Sequence, residues 1–446
     1  MKRILKLSAW LLLFSWQLAH GQGEFSAWLQ ELHLEAREAG ISDVTAKNAI
    51  EQIEFLPEVV AQDKSQPEFV SPFLEYYKRR VNAHKVQKGQ QVLVEHAALL
   101  DRIEAQYGVS KYMLVAFWGM ETQYGRSLGK LDVLSSLATL AYDGRRSEFF
   151  RAQLLDAMRM IDGGHASADA FTGSWAGAFG NMQFMPTTFM LYAVDGDNDN
   201  KIDLVNSLAD AFASAANYLS TIGWREQQPV MLEVQLPENF EWQTAQYNFR
   251  RTLQEWAQSG VRMLQQDDAV PRLQQLVLSK RIPKKSAKQP AKHYQKAQFT
   301  EPAPAVKTAG LSAAGLQMNQ YAAILLPQGY RGPAFMVLDN FDVLMDWNRS
   351  VNYALSVAQL AQRLRSPSRI VGGESAEDGA LSYSEMYDLQ SMLNTSGFDA
   401  GEPDGLPGFK TQQALRLYQL MHKLPADGYA SRSIYQRISA ERLQKP

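Results

Sequence analysis

The sequence predicts a mainly helical α+β protein that ends in a small three-helix module. Three observations carry that class. Apolar residues recur at spacings of three and four from Phe25 to about Ser220, as in Leu99 and Ile103 and then Met113, Val115, Phe117 and Trp118. That is the period of helices with a buried face. From Val230 to Trp256 the pattern changes, and "VMLEVQLPENF" alternates apolar and polar residues, which suggests a strand followed by a turn. Two helical stripes close the chain: Met386, Leu389 and Leu393, then Ala414, Leu417, Tyr418 and Met421.

Composition bounds the function. A chain of 446 residues with 46% hydrophobic content can bury a sizeable core in two or three domains. Its net charge of -2 does not point to nucleic acid as a partner. The absence of cysteine excludes disulfides, thiol catalysis and zinc-thiolate sites. The seven histidines show no paired metal-ligand spacing, and there is no phosphate-cradling Gly-Lys-Ser/Thr loop.

Taken in order, residues 1–21 read as a secretory signal, with Lys2, Arg3 and Lys6 before the apolar run Leu7 to Leu18 and small residues at Ala19 and Gly21. That run is too short to span a bilayer well, so the expectation is an exported protein without a stable membrane anchor. Gly108 and Ser110 punctuate two helices, with Ser110 as an N-cap. Residues from about 265 to 310 are rich in Lys, Pro and Ala, and read as a flexible insertion. "AAILLP" and "AFMVLDNFDVLM" read as strands, and Asn352 to Leu364 as a helix. A Gly/Ser/Pro-rich linker over 366–380 precedes a module over 381–440, which starts with a capping box of Ser382 and Glu385 and turns at Asp404-Gly405 and Asp427-Gly428.

Glu121 stands out. It ends the apolar stretch "AFWGMETQYG", near the C-terminal end of a helix starting at Lys111. Apolar neighbours such as Trp118 and Met120 would desolvate it, and the negative helix end would disfavour its charge. Both effects raise the pKa toward that of a general acid. A bond to Arg126, or plain exposure, is the competing reading. Most glycoside hydrolases need a second carboxylate, and Asp132, Asp143 and Glu148 have no obvious claim to that role.

Five motifs in order carry a resemblance: "GMETQYG" (119–125), "GRRSEFF" (144–150), "GSWAGAFGNMQFMP" (173–186), "YAVDGDNDNKIDL" (192–204) and "NFDVLMDWNRSVNYALSVAQLA" (340–361). Together they resemble the membrane-bound lytic transglycosylase B family of peptidoglycan-cleaving enzymes, in a soluble form. The resemblance implies a lysozyme-like catalytic domain over 22–365 with a small β-containing subdomain. It also implies that Glu121 acts first as acid and then as base. The muramic acid C6 hydroxyl would attack its own C1 to give a 1,6-anhydro end, which removes the need for a second carboxylate. No catalytic cofactor is implied.

Matching positions supply candidate substrate contacts. Ser174 and Gln183 lie in a Gly-rich stretch that lets backbone approach a sugar, and Gln183 can donate and accept at once. Arg145 and Arg146 could hold carboxylates, or form surface ion pairs. Asn348 and Tyr353 match positions lining the cleft, although Tyr353 could equally pack in a core.

Asp195, Asp197 and Asp199 alternate with the oxygen-ligand spacing of a calcium loop, and Lys201 could add its backbone carbonyl. Asn200 replaces the usual glycine, and Asn206 stands where a bidentate Glu is expected. In the resembling family a later Asp closes the loop, and Asp210 fits that place. The expectation is a structural calcium ion.

Residues 381–440 resemble the small peptidoglycan-binding domain of cell-wall enzymes. The implied partner is peptidoglycan glycan strands, met in the periplasm by a monomer, with the module tethering the polymer near the cleft. A non-catalytic peptidoglycan-binding scaffold is the alternative. The Gly125-Arg126-Ser127-Leu128-Gly129 pattern fits a serine-hydrolase elbow, but a helix precedes it where that motif needs a strand.

Overall fold

The computed structural model describes residues 24–64, 71–144, 146–265, 307–309, 316–373 and 379–443. The segment read as a signal, Arg145, and nearly all of the Lys/Pro-rich stretch lie outside the described residues. Among the described residues no helix is long and apolar enough to cross a membrane.

The helix Lys111–Thr122 runs through the main core. Met113 to Met120 and Thr122 are all buried, as expected for a helix apolar on every side. It packs against Val351–Arg365, Ala83–Glu95, Ala97–Tyr107 and Leu208–Thr221. Ser110 holds the N-cap position without a side-chain cap bond. Val133–Tyr142 and Ser147–Asp162 pack on each other beside this bundle.

Two short strands, β1 (Leu131–Asp132) and β2 (Thr172–Gly173), pair antiparallel. The larger sheet contains β3 (Met231–Gln235), β4 (Arg250–Thr252), β5 (Arg262–Gln265), β6 (Lys307–Ala309), β7 (Tyr321–Leu325) and β8 (Ala334–Val337), in the order β4-β7-β8-β3-β5-β6. Its described pairings are antiparallel, with Ile324 opposite Met336 and Val234 opposite Met263. Side chains alternate across it. Ala323, Leu325, Phe335 and Val337 join the main helical core, while Ala322, Ile324, Ala334 and Met336 join a second core around Trp256. A sheet buried on both faces explains the unbroken apolar runs of β7 and β8.

Three expectations need correction. "AFMVLDNFDVLM" is not one strand: β8 stops at Val337 and Asp339–Trp347 is a helix. Asp339 and Asp342 favour its N-terminal turn, and Phe341 and Leu344 sit at helical spacing in the core. Residues 307–309, placed within the flexible insertion, form β6 on β5. In the module, Ala414 and Tyr418 are buried but Leu417 and Met421 are exposed. The buried face of that helix is completed by Leu415 instead.

The module has three helices, Tyr383–Thr395, Phe409–Met421 and Arg432–Leu443. The Ser382/Glu385 capping box forms. Glu385 also pairs with Arg432 at 2.6 Å, and these bonds hold its carboxyl down to about 2. Each Asp-Gly turn is pinned by a buried glutamine: Gln390 Oε1 accepts from Gly405 N at 2.9 Å, and Gln419 Oε1 from Gly428 N at 2.8 Å.

Candidate active site

The chain turns sharply just after Glu121. Gln123, Tyr124 and Gly125 have φ of 53°, 61° and 78°, a left-handed run that costs energy at the two non-glycine residues. It folds the Tyr124 ring back under the helix, where its hydroxyl donates to the Lys85 carbonyl at 2.7 Å. Gly119 makes this possible, because a Cβ there would lie 2.7 Å from the Tyr124 ring.

Glu121 itself is partly buried. Its Oε1 accepts from Trp347 Nε1 at 2.9 Å and from the Tyr353 hydroxyl. Oε2 takes no hydrogen bond among the described residues. Burial raises the pKa of Glu121, against the lowering effect of the Tyr353 and Trp347 bonds and of Arg80 and Lys85. Arg80 donates to the Met120 carbonyl at 2.8 Å, capping the helix end. Burial, with Arg80 beside it, pulls Lys85 down to about 8. When such a carboxyl is protonated, two donors on one oxygen leave the proton to the other.

Aromatic rings gather around Trp347, one of the two donors to Glu121. The Trp347 ring lies 4.3 Å from that of Phe117, 5.4 Å from Tyr218 and 5.6 Å from Phe184, and the Tyr192 ring lies tilted 4.5 Å from that of Tyr218. Trp347, Tyr192 and Tyr218 are partly exposed.

The Gly-rich loop is tied to the Glu121 helix by Asn181, which is buried. Its Oδ1 accepts from Trp118 Nε1 at 2.9 Å, and its Nδ2 donates to the Leu204 and Val205 carbonyls. Thr122 Oγ1 donates to the Asn181 carbonyl at 3.0 Å. One residue thus joins the Glu121 helix, this loop and the acidic loop. Gln183 sits at φ 49°. Its Nε2 donates to the Leu128 and Gly180 carbonyls, both at 3.1 Å, which leaves Oε1 as an acceptor. Ser174 Oγ accepts from Ala178 N at 3.1 Å.

The remaining predicted positions are scattered. Tyr353 is 3% exposed and meets Glu121 rather than open cleft. Asn348 caps the helix Asp339–Trp347 and accepts from Ser350 N at 3.1 Å. Arg146 pairs with buried Asp63 at 2.5 Å and stacks over Phe150. Asp132 is an N-cap, accepting from Ser135 N at 2.6 Å, and Asp143 and Glu148 are exposed at helix ends. Sequence reasoning missed Trp347, Asn181, Arg80 and Lys85. Trp347 and Asn181 lie inside quoted motifs, and their polar N–H and amide groups among apolar residues were the available signal.

In the acidic loop, oxygens of Asp195, Asp197 and Asp210 lie within 4.8 Å of one another. Asp210 is 1% exposed, and burial, with Asp197 and Asp195 adding repulsion, raises its pKa. Asp199 is outside this trio, its Oδ1 accepting from Lys201 N at 2.8 Å. Asn198 and Asn200 take the left-handed conformation the turn requires, at φ 63° and 68°. An all-oxygen donor set that draws like charges together fits a hard cation.

Residues 24–300 and 277–362 match the family model for the transglycosylase SLT domain. The chain belongs to this lytic transglycosylase family, with its lysozyme-like, mainly helical fold. Residues 382–438 match a peptidoglycan binding domain, so the chain couples the two. It is similar to the structure of SltB3 from Pseudomonas aeruginosa in complex with NAG-NAM-pentapeptide, at 37% identity and a TM-score of 0.78, over 93% of this chain and 99% of that one. The Escherichia coli lytic transglycosylase Slt35 in complex with calcium aligns at 25% identity and a TM-score of 0.57, over 76% of this chain and 92% of that one. Membrane-bound lytic murein transglycosylase B of Escherichia coli (strain K12) is 36% identical over 168 residues, 37% of this chain. That match spans 46% of the relative, about half its length.

Proposed function

We propose that the chain is a peptidoglycan lytic transglycosylase that cleaves the MurNAc-GlcNAc β-1,4 bond and leaves 1,6-anhydro-MurNAc ends. The observation that carries this is the Glu121 carboxyl, desolvated among aromatic rings with both its donors on Oε1. Oε2 holds the proton and gives it to the glycosidic oxygen as the C1–O bond breaks. The oxocarbenium-like centre is then captured by the C6 hydroxyl of the same sugar, whose proton returns to Oε2. The carboxyl ends as it began, and no water enters. Arg80 and Lys85 stabilise the carboxylate between the two transfers.

Trp347, Tyr218 and Tyr192 would stack on sugar rings, and Ser174, Gln183 Oε1 and Asn348 would meet sugar hydroxyl or N-acetyl groups. Arg146 is already committed to Asp63 and is left out of this set. Asp195, Asp197 and Asp210 would hold a structural calcium ion, with Asp199 and the Lys201 carbonyl completing its oxygen shell. The ion would brace the loop that Asn181 ties to the Glu121 helix. Export to the periplasm through residues 1–21 and a division into catalytic (22–365), linker (366–380) and polymer-binding (381–440) parts complete the reading.

The test is digestion of purified peptidoglycan, with product masses read by mass spectrometry. Anhydromuramyl ends are expected from the unsubstituted chain and not from Glu121→Gln. Ordinary reducing ends would overturn the proposal in favour of hydrolysis. Binding without cleavage would overturn it in favour of a scaffold.

A further inference from the structure

Tyr124 sits where two helices leave room for it. Its ring lies between Ala83–Glu95 and Lys111–Thr122, and each helix presents a glycine to it. A Cβ at Gly89 would lie 2.5 Å from the Tyr124 hydroxyl, and one at Gly119 would lie 2.7 Å from the ring. The ring is 8% exposed and meets Trp118 edge-on at 5.7 Å. Two close-approach glycines and a left-handed tyrosine at φ 61° are a costly way to bury one ring. What the ring reaches through this gap is the Lys85 carbonyl, to which its hydroxyl donates at 2.7 Å. Burial pushes the pKa of that hydroxyl up, so it remains a donor at neutral and moderately alkaline pH.

Lys85 is thus pinned at both ends of its backbone. Its N–H donates to Asn82 Oδ1 at 2.9 Å, in the first turn of the helix, and its carbonyl accepts from Tyr124. Its side chain has no such hold. Among the described residues Nζ makes no hydrogen bond or ion pair, so the place of the ammonium follows from that of the backbone. This place is unfavourable for a cation. The first helical turn carries positive partial charge, the side chain is partly buried, and Arg80 adds repulsion. Of the groups acting on Lys85, Glu121 alone favours its charge, and Lys85 in turn lowers the pKa of Glu121. The other titratable groups bearing on the pair are Arg80, from the end of Phe73–Arg80, and Tyr353, from Val351–Arg365, with Tyr76 beside Tyr353.

We propose that Tyr124 is a positioning residue for the acid: by fixing the spacing of the two helices and the Lys85 backbone, it holds the lysine ammonium where it favours the Glu121 carboxylate. The proposal rests on the reading of Glu121 as the acid. Tyr124 touches neither the carboxyl nor the sugar, and acts only through Lys85. The same ring braces the turn that follows Glu121, so one side chain sets both partners of the charge pair.

The test compares the full chain with Tyr124→Phe, which keeps the ring between the two glycines and loses only the hydroxyl, with Lys85→Met, and with the double variant. The first readout is the titration of the Lys85 ammonium by NMR, its signal assigned by its loss in Lys85→Met. In the unsubstituted chain it is expected at about 8, and in Tyr124→Phe it should rise toward the usual 10.5 as the side chain gains water. The second readout is the basic limb of the cleavage profile. Lys85→Met should move it up by about one pH unit, the low end for removal of an opposite charge near a carboxylate. Tyr124→Phe should move it up by less, and the double variant no further than Lys85→Met alone. A Lys85 titration unmoved in Tyr124→Phe, a limb unmoved in Lys85→Met, or shifts that add in the double variant would each overturn the proposal. The acid reading fails by a different result, retained cleavage in Glu121→Gln. The Lys85 titration does not depend on cleavage, so the two failures read out separately.

Discussion

Glu121 and Asp210 are both carboxylates that burial pushes toward the protonated form, yet their donors are arranged differently. Asp210 has a backbone N–H on each oxygen, Gly196 N at 2.7 Å and Asp203 N at 2.8 Å. Glu121 has two side-chain donors on one oxygen and none on the other. The first arrangement holds a charge in place among its like-charged neighbours. The second leaves an oxygen free to carry and return a proton. Burial alone does not separate the acid and ligand roles proposed for them; the distribution of donors does.

The two carboxylates should respond oppositely to the same chemical change. Glu121→Gln removes the transferable proton and keeps the shape. Strand cleavage is expected to fall by about a thousandfold or more, within the range general acid catalysis supplies. The melting temperature should hold or rise, since a neutral amide suits a desolvated site. Measurable turnover near that of the unsubstituted chain would remove Glu121 from the chemistry and collapse the comparison.

Asp210→Asn should leave the chemistry to Glu121 and change the response to calcium. A hundredfold excess of calcium over its Kd is expected to stabilise the unsubstituted chain by about 2.7 kcal/mol. The variant should lose most of that gain. Under chelator the order reverses, because the amide relieves repulsion from Asp195 and Asp197. Melting curves with calcium and with chelator check both signs. A chelator-insensitive melt of the unsubstituted chain would show that the trio does not hold calcium.

Tyr353→Phe tests the donor arrangement directly. The Tyr353 bond lowers the pKa of Glu121 below what burial alone would give. Without it the carboxyl stays protonated to higher pH. The basic limb of the activity profile, where the acid loses its proton, is therefore expected to move up. Activity at the optimum should fall about tenfold, as for one lost hydrogen bond to a charged group. A limb that stays in place would mean that Tyr353 only packs, and one that moves down would mean that its hydroxyl holds the proton on Glu121.

The sequence announced Glu121 because its signal is local: a carboxylate ending an apolar helix, with a turn-forming glycine after it. Its partners were not legible, since Trp347 and Tyr353 lie 226 and 232 residues away in sequence. The same contrast runs through the fold. The Ser382/Glu385 capping box and the Asp-Gly turns are local and were readable, but the buried Gln390 and Gln419 that pin those turns were not. "AFMVLDNFDVLM" misled because an apolar run fits a strand or a helix equally. Asp339 and Asn340 within it were the sign of a helix start. Leu417 and Met421 misled because helical spacing does not say which face a neighbour will cover.

The smallest effect should come from Trp347→Phe. It removes the second donor to Glu121 Oε1 while leaving a ring to pack against Phe117, 4.3 Å away in the unsubstituted chain. Its bond lowers the Glu121 pKa less than that of Tyr353 does. The basic limb should therefore move in the same direction as in Tyr353→Phe, but by less. Both donors meet one oxygen, so the two changes act on one proton equilibrium and the double variant should shift the limb by more than either alone. Rate is a poor readout here, because the smaller ring also changes the stacking surface offered to a sugar. The limb position isolates the hydrogen bond. A Trp347→Phe shift larger than that of Tyr353→Phe would reverse the assigned order of the two donors. An opposite shift would mean that the indole N–H holds the proton on Glu121 and does not favour its release.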